Sequence, residues 1–367
     1  MKKIVFHIQC LERGGAERVV TNLAGQFVNH GYEVYIATES QGENEYETDP
    51  KIHRIHVGLT PEQENDGRVK KFLDRIINLR RFLKQTQPDI VIAFARKANY
   101  RALTSTIGTK IPVVISIRIA PVGCYDFLSD KIQIPILFRR AAGCVFQTQE
   151  QKDFFPEYVQ RRSRIILNAI NPVFIGNPIP EHREKTVVHS GRIVDFKNQL
   201  MLIRAFEQVH SKHPDYVLKI FGQDTHDGTW EKLEAQIAEN KAWDYVKLMG
   251  GSNQLQKDMI NGAVAAFSSD VEGMPNAMLE AMALGLPVVA TDCPPGGPRM
   301  VITDGENGLL VPVGDENALA AAINRLIEDP QLAGRLGRNA AKISERAGAD
   351  VVFREWEKYL LEICDKQ

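Results

Sequence analysis

Cysteine is scarce and scattered in this chain. The five residues, Cys10, Cys124, Cys144, Cys293 and Cys364, are odd in number and lack the Cys-x-x-Cys or Cys/His spacing of a zinc site. That excludes a disulfide framework and suits a reduced cytoplasm. No apolar run approaches the roughly 18 residues that cross a bilayer. The start MKKIVFHIQCLERGG is basic, but its apolar stretch is too short for an export signal, so none is expected. Also missing is an Asp-x-Asp pair that would hold a divalent cation on a diphosphate, and no metal or other cofactor is expected. The Gly-x-Gly-x-x-Gly fingerprint after a first strand is absent, which removes the main signature of a nicotinamide dehydrogenase. A net charge of −1, without aromatic-interleaved basic motifs, argues against a nucleic-acid partner.

What is present is a long alternation of short apolar runs with helical segments. KIVFHIQC, YEVYIAT, DIVIAF, PVVISI, GCVFQT and SRIILN form a first series, and TVVHSGRI, YVLKIFG, YVKLMG, AVAAFSS and PVVATD a second. Such runs imply parallel sheets covered by helices on both faces. Between the series, NAINPVFIGNPIPEHREK carries three prolines and a shift in composition that reads as a linker. The fold class predicted is therefore α/β, with two doubly wound Rossmann-like domains facing a central cleft. Domains are expected at 1–170 and 186–347, with a linker at 171–185 and a final helix at 348–367 that crosses back to the first domain. Residues 1–180 hold 25 Lys+Arg against 18 Asp+Glu, and the remainder 20 against 28. Ordinary surface variation accounts for that asymmetry at least as well as function does.

The most informative stretch is EGMPNAMLE, in which Glu272 and Glu280 stand eight positions apart. Pro275 suits a first helical turn, and NAMLEAMALG after it is helix-forming up to a Gly stop. The amides of Gly273, Met274, Pro275's successor Asn276 and Ala277 then mark an anion-receptive helix start. Helical rise places Glu280 about 7 Å along the axis from the turn carrying Glu272. One carboxylate then suits ribose hydroxyls and the other a hexose, with a pyrophosphate between them. Two further strand-to-helix loops point the same way: Gly14 and Gly15 in LERGGAERV, where the missing Cβ lets backbone approach a phosphate or sugar, and Arg192 with Lys197 in SGRIVDFKN, two cations that neutralise a diphosphate.

GGAERV, GRIVDFKN, EGMPNAMLEAMALGLPVVATDCPPGGPRMVI and NGLLVPVGD together resemble glycosyltransferase family 4, retaining enzymes of the two-domain GT-B type. GCVFQTQEQKDFF is similar to the polysaccharide and lipid-linked oligosaccharide branch. The resemblance implies an acceptor-binding first domain and a nucleotide-sugar-binding second domain. It implies that Glu280 binds the ribose hydroxyls, that Glu272 binds the donor hexose, and that Arg192 and Lys197 hold the diphosphate. Gly14, Gly15 and the Gly273–Met274–Pro275–Asn276 segment would close around it. The catalytic group implied is Arg192, Lys197 and Glu272, acting on a nucleotide diphosphate sugar, with UDP chosen over GDP, and a glycan acceptor, in particular a polyprenyl-diphosphate-linked saccharide. One departure stands out: where relatives often carry a His or an Arg-Asn-Asp-Pro run after PVVIS, this chain reads IRIAP. Arg118 cannot act as a base at neutral pH, so it is expected to orient a sugar or phosphate on the acceptor side, or to be a buried structural arginine.

RVKKFLDRIINLRRFLKQ reads as a basic amphipathic helix. Lys70, Lys71, Arg80 and Arg81 are its candidates for contact with an anionic membrane, which would place the protein peripherally on the inner face of the cell membrane. A surface helix with a solvated basic face is the competing reading. Two rival functions stay open: a UDP-sugar epimerase of similar architecture, which would need no acceptor, and a non-catalytic sugar-nucleotide sensor.

Overall fold

A computed structural model of the chain describes residues 1–12 and 14–366. The alternating apolar runs become strands, and the chain divides into two units, Met1–Ala169 with Ala349–Gln367, and Ile170–Gly348. In the first unit the strands are β1 (Lys3–Ile8), β2 (Glu33–Thr38), β3 (His53–His56), β4 (Ile90–Phe94), β5 (Val113–Ser116), β6 (Gly143–Phe146) and β7 (Ser163–Ile165). They form one sheet in the order β3-β2-β1-β4-β5-β6-β7, parallel throughout. The helices of this unit that run six residues or more are α1 (Gly15–Asn29), α2 (Arg68–Thr86), α3 (Arg96–Ser105) and α4 (Leu128–Leu137), joined by the chain's final helix.

Strand alternation decides which helix covers which face. Ile4, Phe6 and Ile8 of β1 point to a core shared with Val20, Leu23 and Phe27 of α1. Val5 points the other way, to a core shared with Leu79 and Leu83 of α2, Leu103 of α3 and Ile134 of α4. Both faces are thus buried, which is why the strands read as continuous apolar runs.

In the second unit the strands are β8 (Glu184–Ser190), β9 (Val217–Phe221), β10 (Val246–Gly250), β11 (Gly262–Phe267), β12 (Val288–Thr291) and β13 (Leu309–Val311). Their order is β10-β9-β8-β11-β12-β13, again all parallel. Continuing the helix count, α5 is Gln199–Lys212, α6 Thr229–Glu239, α7 Leu255–Ile260, α8 Asn276–Ala283, α9 Glu316–Glu328 and α10 Pro330–Ala341. The final helix, α11 (Ala349–Cys364), buries Val352, Phe353, Trp356, Tyr359, Leu360 and Ile363 in the first unit's core with α1. Those positions recur at helical spacing, so one stripe of the helix faces the sheet.

Both sheets reverse strand order about a central pair: β1 beside β4 in the first unit, β8 beside β11 in the second. Such a switch point splays the loops at the carboxyl ends apart and leaves room for a ligand. Gly14 and Gly15 follow β1, whereas Arg192 and Lys197 follow β8 and Glu272 follows β11.

Candidate functional site

Two of the second unit's candidate residues, Lys197 and Glu272, come together at its switch point, with Arg192 nearby. After β8 the chain passes Arg192, which is exposed, and makes a short 3-10 turn at Asp195–Lys197 before α5. Asn198 sits in the left-handed region at φ 48, and its side-chain oxygen accepts from Met201 N, capping α5. Three hydrogen bonds tie this turn to the segment after the neighbouring strand β11: Asp270 N donates to Phe196 O at 2.8 Å, Ser268 Oγ to Lys197 O at 3.0 Å, and Asn198 Nδ2 to Asp270 Oδ1 at 2.9 Å. The stitching holds Lys197 over the loop that carries Glu272, and the Lys197 ammonium meets the Glu272 carboxylate in an ion pair. The two side chains are only 14% and 12% exposed. Desolvation, helped by the charge of Arg192, brings Lys197 down to about 8.

Glu272 lies outside α8 and Glu280 inside it. Glu272 N donates to Pro294 O at 2.9 Å, and Ser269 Oγ reaches Glu272 Oε1 at 3.4 Å. Pro275 takes the cap position before α8, and Met278 N and Leu279 N both donate back to its carbonyl. Gly273, Met274, Pro275 and Glu280 are buried, while Asn276 is half-buried. The carboxylates therefore differ in setting: Glu272 is paired to a cation beside the loop, and Glu280 is enclosed one helical stretch further on.

Several supporting residues were not identified from the sequence. Gln199 Nε2 donates to Arg192 O at 2.9 Å and lies 3.4 Å from His189 Nε2. His189 is wholly buried and its Nδ1 lies 2.9 Å from Ala266 O, so burial drops its pKa to about 4 and keeps the ring neutral. A neutral ring with Nδ1 protonated leaves Nε2 as an acceptor for Gln199, which in turn fixes the Arg192 backbone. Two glycines matter by absence of a side chain. A Cβ on Gly222 would collide with the Gly191 carbonyl, and one on Gly297 with the Gly273 carbonyl. Each lets a neighbouring loop press against a site loop, and the PPGGP run was the only hint of the second.

In the first unit Gly14 caps α1 with extended backbone, and Gly15 begins the helix. Arg118 is tied inward: Nε donates to Ser116 Oγ and Nη1 to Asn168 Oδ1, each at 2.7 Å, and the guanidinium lies over Phe94 and Trp356. These contacts link β5 to α11, while the buried Arg118 Nη2 has no hydrogen-bond partner among the described residues. Three cations of α2 have partners within the first unit. Lys70 pairs with Asp66 at 2.9 Å and Lys71 with Glu64 at 3.6 Å, while Arg80 Nη1 caps the end of α3 at the Ser105 and Ile107 carbonyls. Arg81 is exposed. Only Leu79 and Leu83 of the helix are buried, so Val69, Phe72, Leu73 and Ile77 face solvent.

Comparison with known proteins agrees with this layout. Residues 13–174 match the family described as Glycosyltransferase Family 4, and residues 176–343 the family described as Glycosyl transferases group 1. An uncharacterised glycosyltransferase of Haemophilus influenzae is 23% identical over 98% of this chain and 100% of its own length. The Campylobacter jejuni N-acetylgalactosamine-N,N'-diacetylbacillosaminyl-diphospho-undecaprenol 4-alpha-N-acetylgalactosaminyltransferase is 28% identical over 98% of this chain and 100% of its own. Among solved structures, Anabaena HepE, crystallised with UDP, superposes with a TM-score of 0.82 at 19% identity, over 98% of this chain and 100% of that one. At that identity the likeness establishes the fold, which is GT-B.

Proposed function

The chain belongs to the family 4 glycosyltransferases, and from that premise we propose that it is a retaining enzyme that moves a hexose or N-acetylhexosamine from a UDP-sugar to a polyprenyl-diphosphate-linked saccharide, at the inner face of a membrane, in the assembly of a surface polysaccharide or glycoconjugate. The observation that carries the donor reading is the Lys197–Glu272 ion pair between the loops after β8 and β11, with the charge of Arg192 felt at Lys197. UDP is favoured by the UDP and UDP-glucose complexes of HepE, and the acceptor by the undecaprenol-linked substrates named for two Campylobacter jejuni relatives.

The chemistry follows from the charges. In the free protein Glu272 neutralises Lys197, and a diphosphate arriving between Arg192 and Lys197 supplies the ammonium with a new anion. Glu272 is then released to accept hydrogen bonds from hexose hydroxyls, and Glu280 from the ribose. As the bond from the anomeric carbon to the diphosphate oxygen breaks, negative charge grows on that oxygen, and Arg192 and Lys197 stabilise it in place of a metal. No side chain is assigned as base: the departing oxygen takes the acceptor hydroxyl's proton while the new glycosidic bond forms on the same face. Arg118 remains the acceptor-side candidate, with Nη2 free of a hydrogen-bond partner among the described residues.

A panel of UDP- and GDP-sugars, followed by nucleotide release with and without undecaprenyl-diphosphate-linked saccharides, tests the reading. Release of UDP that depends on the acceptor supports it. Conversion of a UDP-sugar without acceptor would instead favour an epimerase.

A further inference from the structure

The first unit carries a pair of opposite charges that the mechanism does not use. Glu39 directly follows β2, and Arg101 lies in the second turn of α3, the helix after β4. Because β1 runs between β2 and β4, the pair bridges the switch point of this unit. The carboxylate and the guanidinium meet in an ion pair whose side chains are only 7% and 10% exposed. His7 of β1, wholly buried, faces them. Its Nδ1 lies 3.0 Å from Ala37 O, which can only accept, so Nδ1 carries the proton, and burial drops the pKa to about 4 and keeps the ring neutral. Nε2 therefore turns a lone pair toward Glu39 Oε1, 3.3 Å away, and neither atom has a hydrogen-bond partner among the described residues.

Another ion pair of the same helix shows what a structural strut looks like. Arg96 Nε and Nη2 donate to Asp130 at 3.1 and 2.7 Å, and Asp130 also accepts from Tyr100 OH at 2.6 Å and Phe127 N at 3.1 Å. Arg101 is under-used by comparison: its Nε is buried without a hydrogen-bond partner, and Nη1 faces only Glu39. A guanidinium is satisfied by a fork of two acceptor oxygens, which a phosphate group supplies. The backbone at Glu39 also belongs with the segment that leads to Gly14. Glu39 N and Ser40 N donate to Gln9 O at 2.9 and 3.0 Å, and Tyr46 N donates to Leu11 O at 2.9 Å. The segments after β1 and β2 are thus fastened side by side at the edge where the switch point opens.

We propose that Arg101, guarded by Glu39, binds the diphosphate group of a lipid-diphosphate acceptor. In the free protein Glu39 neutralises Arg101. An arriving diphosphate takes over the guanidinium donors, and Glu39 turns away from both the cation and the His7 lone pair. No covalent step is involved. Charge sets the specificity: a neutral glycan has nothing to offer Arg101 and leaves the pair closed, whereas a diphosphate replaces one carboxylate with several acceptor oxygens. The inference rests on the lipid-linked acceptor of the proposed function. It deepens that reading by naming the residues that hold the charged part of the acceptor.

The test is calorimetric titration of the full chain with inorganic pyrophosphate and with farnesyl diphosphate, each in the presence of saturating UDP to keep the donor side occupied. Wild type is expected to bind both probes. Arg101→Gln should weaken each by about tenfold or more, whereas Glu39→Gln, which removes the competing carboxylate, should tighten each several-fold. A mere strut between β2 and α3 would not give opposite signs. No binding by the UDP-saturated wild type, unchanged affinity in a folded Arg101→Gln, or no tightening in Glu39→Gln overturns the proposal. Glu39→Gln decides by itself should Arg101→Gln fail to fold. Binding of pyrophosphate without farnesyl diphosphate also overturns it, because the site would then serve a free anion. Both titrations are read without turnover, so a wild type that binds both probes and transfers no sugar counts against the proposed function alone.

Discussion

Lys197 and Glu272, from loops after the adjacent strands β8 and β11, neutralise one another in the ligand-free protein. The diphosphate-binding cation and the hexose-binding carboxylate of the proposed mechanism are thus each other's partner until a donor arrives. Removing one leaves the other poorly solvated, which costs more than the pair contributes. Lys197→Ala should therefore lower unfolding stability by about 1–3 kcal/mol. The Lys197→Ala/Glu272→Gln double variant should recover most of that in denaturant melts while staying inactive. Recovery of neither, or of both, would contradict the exchange of partners.

Lys197 also sets a pH dependence. Its folded value, about 8, lies below the ordinary 10.5 of a lysine, so between these limits the unfolded chain binds more protons and this group's contribution to stability rises with pH. Donor binding should run the opposite way, because the neutral amine no longer attracts a diphosphate. UDP affinity measured by calorimetry is expected to fall as pH climbs through about 8 in wild type, and the fall should be absent in Lys197→Ala.

Glu280→Gln keeps the shape of a buried side chain and removes its charge. Charge-assisted hydrogen bonds to the ribose are worth about 1.5–3 kcal/mol, so UDP affinity should drop roughly 10- to 150-fold with little change in melting temperature. A folded variant with unaltered UDP affinity would remove Glu280 from the site.

In the proposed mechanism Arg192 and Lys197 take the place of a cation, so turnover should survive EDTA, whereas Lys197→Ala should cost at least about 2 kcal/mol in the transition state, about 30-fold in rate. Complete loss on chelation, restored by Mn²⁺, would overturn the assignment.

Gly297→Ala would push a methyl into the Gly273 carbonyl. The loop bearing Glu272 must shift, and we expect KM for the donor to rise several-fold with about 1–3 kcal/mol lost in stability. Kinetics of the variant alongside its urea melt check both.

Much of this was legible in the sequence because it is local. Apolar runs such as DIVIAF name a buried parallel strand, and Pro275 with the helix-forming run after it marks α8. Contacts across strands were not legible. That Lys197 lands on Glu272 depends on β8 lying beside β11, and that Gly222 and Gly297 make room for neighbouring loops depends on β9 lying beside β8 and β12 beside β11. Charge pattern alone does not show that three of the cations of α2, Lys70, Lys71 and Arg80, find partners in Asp66, Glu64 and the end of α3. The short α4, interrupted by Pro135, gave too little periodicity to show which face it exposes.

The central claim, transfer from a UDP-sugar with retained configuration, is tested most directly by proton NMR of the product made from the accepted UDP-α-sugar and a polyprenyl-diphosphate-linked saccharide. An α-linked sugar on the acceptor is the predicted result. A β-linked product would contradict retention, and conversion of the donor with no sugar on any acceptor would contradict transfer itself.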